Sequence, residues 1–277
     1  MKHALLSFVA LCFAPLLAFA AAREIMVDLK LDCLDYVSHE RIRGVITIKN
    51  ISPDPLSVGY PDSRDALFVE VFKSFDMEQL EQIGNQPFVS RFRLNPNEAQ
   101  RLEVFLGDHY GLTEPRRYLA RPVLVHEGLR YEGAYRAFDV VPGMAVTEAL
   151  QVFSNHEGLS REFSLVHWTR KGTEHLFLKS KDSGETGRAW ETRDLGGMMR
   201  ITKPVISILP SGKIIVLHRY GPDHFIRSEF WSLPSILEFT TRELISDPET
   251  AGQSKVQEMY DAAGGVKPID RPWWKFW

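Results

Sequence analysis

Cysteine is scarce in this 277-residue chain, which carries only Cys12 and Cys33. Cys12 lies inside an apolar N-terminal stretch that reads as a removable leader. Cys33 is then alone, and an intrachain disulfide is excluded. The fold has to be held by its own core, for which 44% hydrophobic residues is ample. Cys33 falls in phase with Ile25, Val27, Leu29 and Leu31, which reads as a thiol packing inward as a small hydrophobe. Long runs of one charge are also missing. The 33 basic and 36 acidic residues give a formal net charge of −3. No clustered basic surface is in view, so no nucleic acid is expected as a partner.

Catalytic signatures are lacking as well. There is no Gly-x-Ser-x-Gly elbow, phosphate loop or dinucleotide fingerprint. His-Glu occurs at 39–40, 126–127 and 156–157, but a zincin needs a second histidine four residues after the first. Those positions hold Arg43, Arg130 and Ser160. The acidic turns at 61–65 and 181–187 lack the spaced carboxylates and closing Glu of a calcium loop, and read as solvated hairpin tips. No metal and no cofactor is expected. Two of the later histidines, His175 and His218, fall on neighbouring strands of the second half and can approach each other. They are the candidates for a hydrolase site between two domains, set against the plainer reading of half-exposed strand histidines.

A bilayer-spanning run is missing too. Residues 4–17 are apolar except for Ser7 and Pro15, but fall short of the ~20 residues a membrane helix needs. They follow the basic head Met1-Lys2-His3 and precede the small-x-small exit Ala18-Phe19-Ala20, with a second exit at Ala20-Ala21-Ala22. These are the three parts of a secretory signal peptide. A cleaved leader over residues 1–22 is expected, with the mature chain periplasmic or extracellular.

From Ile25 onward the apolar side chains recur with a period of two. Ile25, Val27, Leu29 and Leu31 alternate with Met26, Asp28, Lys30 and Asp32; Ile42, Ile46 and Ile48 alternate with Arg43, Thr47 and Lys49. Similar runs cover residues 67–71, 88–94, 101–106, 118–125 and 131–141. One apolar and one polar face is the mark of a half-buried antiparallel strand. Asn50-Ile-Ser-Pro-Asp-Pro55 reads as a loop, Asn95-Pro96-Asn97-Glu98 as a turn and Glu127-Gly128 as a hairpin; only residues 76–82 read as a helical turn. Seven to nine strands in about 115 residues predict a β-sandwich over residues 23–143.

Gly44-Val-Ile-Thr-Ile-Lys-Asn50, followed by Ser-Pro, resembles the second strand of macroglobulin-type and BsuPI-type immunoglobulin-like domains. Leu94-Asn-Pro-Asn-Glu98 and Tyr110-Gly-Leu-Thr-Glu-Pro115 with Tyr118 are similar to their later half. Arg116 departs from the pattern, which prefers Gly there. The resemblance implies an immunoglobulin-like fold and a tyrosine corner, with the Tyr118 hydroxyl tied back to the preceding loop. It also raises a protease-inhibitor-like role, carried by an exposed loop over residues 50–65.

Val141-Pro142-Gly143 ends the first series, and residues 144–160 read as a linker able to make one or two helical turns. Residues 161–245 show a faint repeat. Thr169-Arg-Lys-Gly172 leads into a strand, and Leu209-Pro-Ser-Gly212 does so about forty residues later. Each continues into an aromatic-bearing strand, 188–192 and 227–231. Residues 204–217 resemble a β-propeller blade, of which only two fit, against the four or more of a propeller. The two halves together resemble secreted bacterial proteins, a likeness that implies no activity. Residues 246–277 read as a linker, a short helix over 253–263 and an aromatic tail. There Trp273, Trp274, Phe276 and Trp277 either fold back on their own domain or contact a partner or membrane interface.

The expectation is therefore an all-β protein: an immunoglobulin-like sandwich followed by a small antiparallel sheet domain with two blade-like repeats. Its expected role is non-enzymatic binding or scaffolding of a protein or envelope component. A protease-inhibitor-like module and an interdomain hydrolase are the alternatives.

Overall fold

The computed structural model describes residues 24–59, 65–83, 88, 91–154, 158–183 and 191–246. They form strands and turns, with a single 3-10 turn at Leu106–Asp108 and no α-helix among them. The leader, the 253–263 segment and the aromatic tail lie outside the described residues.

Ten strands build the first unit: β1 (Ile25–Leu31), β2 (Asp35–Val37), β3 (Arg43–Asn50), β4 (Leu56–Val58), β5 (Ala66–Lys73), β6 (Phe92–Leu94), β7 (Ala99–Phe105), β8 (Arg116–His126), β9 (Leu129–Glu132) and β10 (Arg136–Val141). One sheet runs β1-β3-β7 and the facing sheet β2-β10-β8-β5, with β9 on β8 and a small β4-β6 pair at the side. Neighbours are antiparallel except β2, which runs parallel to β10. Splitting the first, third and seventh strands from the fifth, eighth and tenth is the strand order of an immunoglobulin-type sandwich. The period of two is the cause: Ile25, Leu29, Ile46, Ile48, Val69, Val71, Tyr118, Ala120 and Phe138 all point into one core and are at most 2% exposed. Each large side chain so buried contributes about 1.5–3 kcal/mol. Cys33 packs half-buried at the rim of this core, where burial raises its thiol above the ordinary value.

The Tyr118 hydroxyl donates to the carbonyl of Glu114 (3.1 Å), which is the expected tyrosine corner. Glu127 and Gly128 both take positive φ, at 50° and 78°, as a two-residue hairpin of type I′ requires. Residues 76–82 are not a helical turn. Lys73 accepts a turn bond from Met77 and a short bridge joins Phe72 to Gln79, so the segment folds back along β5.

The second unit begins earlier than the sequence pattern suggested. β11 (Met144–Val152) pairs antiparallel with β12 (Ser160–Arg170), so most of 144–160 is an edge strand and not a linker. Ala, Glu, Leu and Gln favour a helix locally here; pairing with β12 and the alternation of inward Ala149 and Gln151 with exposed Leu150 and Val152 override them. β13 (Thr173–Ser183) and β14 (Glu191–Gly197) complete a sheet ordered β11-β12-β13-β14. β15 (Val205–Ile208), β16 (Lys213–Gly221), β17 (His224–Leu233) and β18 (Ile236–Ser246) form a second four-stranded meander.

The two blade-like repeats are thus two antiparallel sheets, but they stack face to face as a second sandwich. Phe163, Leu165, Leu176, Leu178 and Leu195 of one meet Ile214, Val216 and Phe230 of the other. The echoed turns are also out of step: residues 170–172 join the second and third strands of their sheet, residues 209–212 the first and second. The echo comes from turn chemistry: Gly172 and Gly212 both need positive φ, at 79° and 86°.

Candidate functional site

The two sandwiches meet along a junction that is apolar at its centre and ionic around it. Val37 packs on Val166 and Phe177 from the outer face of the β11-β14 sheet, with Val141 and Trp168 alongside. Gly143 allows this close approach, since a Cβ there would lie 2.9 Å from Val166 Cγ2. Arg170, at the end of β12, donates to both Glu40 oxygens (2.6 and 3.1 Å) and to Asp194 (3.0 Å). Burial pushes the Glu40 carboxyl up, and the Arg170 bonds oppose that shift. At Asp194 burial acts the same way, but the bonds from His175 and Gly196 N and the charge of Arg170 outweigh it, and its carboxyl is held below the ordinary range. Thr192 completes the clasp. Its hydroxyl donates to the Ser38 carbonyl (2.6 Å) and its amide to that of His39 (3.0 Å).

Beside this clasp opens a cleft of about 740 Å³. One wall is His39, Glu40 and Arg41 with residues 107–113 and Ile83; the other is residues 191–194 of β14. Ile83 donates its backbone N–H to the His109 carbonyl (2.7 Å) and is 61% exposed. The charged groups of the walls are committed to one another. Arg41 pairs with Asp108 (2.8 Å), Arg193 with Glu191 (3.3 Å), and Glu40 and Asp194 with Arg170. His39 sits at φ 68°, and burial lowers its imidazole below the ordinary value. The Thr192 hydroxyl is spent on Ser38.

The histidines proposed from sequence fall nearby without converging. His175 lies on β13 and bonds Asp194 (3.0 Å) through Nδ1. His218 lies on β16, in the other sheet, with Nε2 on the Gly197 carbonyl (3.1 Å), and burial pushes it down to about 4. Gly197 pairs with His175 across β13 and β14, so both histidines reach the end of β14 and neither bonds the other. His126 pairs with Asp65 (2.7 Å) and His167 with Glu174 (2.8 Å). Among the described residues no three of His, Cys, Asp and Glu are grouped to hold a metal.

The inhibitor-like loop is described over residues 50–59, and there it is tied down. Asn50 is fully buried, and β4 pairs with β6. The aromatics Trp273, Trp274, Phe276 and Trp277 lie outside the described residues. The cleft was missed in the sequence because its walls come from segments about 70 and 80 residues apart, and none carries a motif.

No family model and no curated protein matches the chain. Among solved structures it is similar to the crystal structure of Spo0M, a sporulation control protein of Bacillus subtilis, at 9% identity over 87% of this chain and 95% of that one, with a TM-score of 0.31. A likeness at that level carries no inference about fold or activity.

Proposed function

We propose that the chain is an exported, non-enzymatic binding protein that takes an extended segment of a partner protein into the cleft between its sandwiches. One observation carries this reading: the cleft is bordered by the buried Glu40–Arg170 clasp, and its walls present ion pairs of both signs beside the exposed Ile83. A preformed interdomain groove of this size is a usual place for a ligand. Paired charges with one apolar contact suit a polypeptide carrying both charge signs around an apolar side chain. Export rests on the leader pattern of residues 1–22.

Selection of random dodecapeptides on the full mature chain tests the site. Peptides that win are expected to lose affinity about tenfold or more, equivalent to about 1.4 kcal/mol, on R41E/R193E. Both side chains are solvent-exposed, at 62% and 42%, so the substitutions spare the core. Peptides that bind the variant as well as the parent would remove the cleft from the function. Sequencing the N-terminus of the chain recovered from the envelope fraction tests export; an intact Met1 in the cytosol overturns it.

A further inference from the structure

The β15-β18 sheet is dry on the wrong side. Ile214, Val216 and Phe230 face the β11-β14 sheet, and their neighbours in the strands face away from it. Those outward residues are buried all the same: Ile215 is 4% exposed, Leu217 5% and Phe225 2%. Phe225 stands one residue from the exposed turn at His224. The first sandwich packs on the opposite side of the second unit, through Val166 and Phe177. Every member of the outward cluster, including Leu209 and Ile245, belongs to the β15-β18 sheet or its first turn. A sheet cannot dry its own outer face; an apolar sheet surface has to be covered by another layer. Arg219 lies over the Phe225 ring at 4.9 Å and supplies part of that cover.

The same face holds unanswered donors. The Nε atoms of Arg219 and Arg227 are out of solvent without an acceptor. Cross-strand register puts Arg219 opposite Phe225 and Arg227 opposite Leu217, so both flank the apolar cluster. Buried donors of charged groups are costly to leave unmade, and a covering layer that brings carbonyl or carboxylate oxygens would satisfy them.

We propose that residues 247–277 of this chain dock on the outer face of the β15-β18 sheet, with Trp273, Trp274, Phe276 and Trp277 over Ile215, Leu217 and Phe225. Three features select this occupant over a second copy or a bilayer. The chain leaves the described residues from this face, because Ile245 pairs with Phe225 and is itself in the cluster. Tethering at Ser246 gives the segment a millimolar effective concentration at the face, which a free partner lacks. Thirty-one residues reach easily across four strands spaced ~4.8 Å apart, and they bring four large aromatic rings together with Asp247, Glu249, Glu258, Asp261 and Asp270 as acceptors for the arginines. This proposal does not depend on the cleft.

Amine cross-linking of the dilute full mature chain, read by peptide mass spectrometry, tests it. Lys213 lies on this face opposite Trp231, and Lys255, Lys267 and Lys275 lie in the segment. The expected result is a link from Lys213 to one of these lysines within the monomer. That link should be lost in K213R, which keeps the pairing with Glu229, and lost when the four aromatics are changed to alanine, with a gain in binding of a hydrophobic fluorescent dye. Three results overturn the proposal: no such link in the monomer, a link found only in a dimer, or tail tryptophan emission that shifts to the blue only when phosphatidylglycerol vesicles are added.

Discussion

Arg161 and Asp182 stand opposite each other on β12 and β13 and form a two-bond ion pair, with their side chains 1% and 4% exposed. The remaining donors of Arg161 reach the other sheet. Nη1 donates to Ser232 Oγ (2.7 Å) and to the carbonyls of Leu233 (3.2 Å) and Ile236 (3.0 Å), closing the turn between β17 and β18. The guanidinium therefore ties the two layers of the second sandwich. Arg161→Met leaves the Asp182 carboxylate buried without its cation, and should cost about 3–5 kcal/mol. R161M/D182L removes both charges and should recover much of that loss. Guanidinium chloride denaturation measures both; a single-variant loss below about 1 kcal/mol would show the pair to be idle.

His218 gives the second sandwich a pH dependence with a defined sign. Burial pushes its imidazole down to about 4 from an ordinary value of 6.5. The unfolded chain therefore takes up a proton between pH 6.5 and 4 that the folded chain refuses, and stability falls as pH drops through that window. A shift of this size corresponds to about 3 kcal/mol. Denaturation at pH 7 and at pH 4.5 should show His218→Gln losing less stability between the two than the parent does. Equal losses would assign the acid sensitivity to other groups.

Much of the first sandwich was legible because its signals are local. Period two set the inward residues, Glu127-Gly128 fixed a hairpin, and the immunoglobulin-like resemblance around Tyr110–Tyr118 implied the tyrosine corner. The second sandwich was half legible. Gly172 and Gly212 marked turns, but a turn does not say which strands flank it, so two stacked sheets read as repeated blades. Residues 144–152 read as a linker because helix-favouring side chains masked an edge strand that only β12 reveals. The clasp was invisible for another reason. Glu40 and Arg170 are 130 residues apart, and nothing in either neighbourhood marks the other.

Asn50 tests the local signal that carried the immunoglobulin-like resemblance. It is fully buried at the end of β3. Its Nδ2 donates to the carbonyls of Asp54 (2.7 Å) and Leu94 (3.3 Å), and its Oδ1 accepts from the Ser52 amide (3.0 Å) and hydroxyl (2.7 Å). The side chain thus replaces the backbone partners that the loop after β3 cannot find. Asn50→Ala leaves two carbonyls and an amide short and should cost about 2–3 kcal/mol. Asn50→Asp keeps the acceptors and loses the donors, and should be at least as destabilising because it buries a charge. If alanine is tolerated at no cost in urea, the loop is held by something else.

The Glu40–Arg170 pair is expected to decide whether the two sandwiches unfold as one. Interfaces between domains of a chain often allow relative motion unless they are extensive or strongly bonded. Here the apolar centre is small, being Val37, Val166 and Phe177 with two neighbours, so the ionic clasp carries much of the coupling. Arg170 also lies over the Phe177 ring at 4.9 Å, which places its charge against the same apolar contact. Arg170→Met strips Glu40 and Asp194 of their shared cation, and Glu40→Gln keeps the shape of its partner while removing one charge. A double-mutant cycle should return a coupling of about 2–3 kcal/mol, at the upper end for contacting residues. Calorimetry should show the parent melting in one transition and R170M in two, the second sandwich separating from the first. A cycle near zero, with one transition retained in R170M, would mean the apolar centre alone holds the cleft open, and the cleft would then not depend on the clasp.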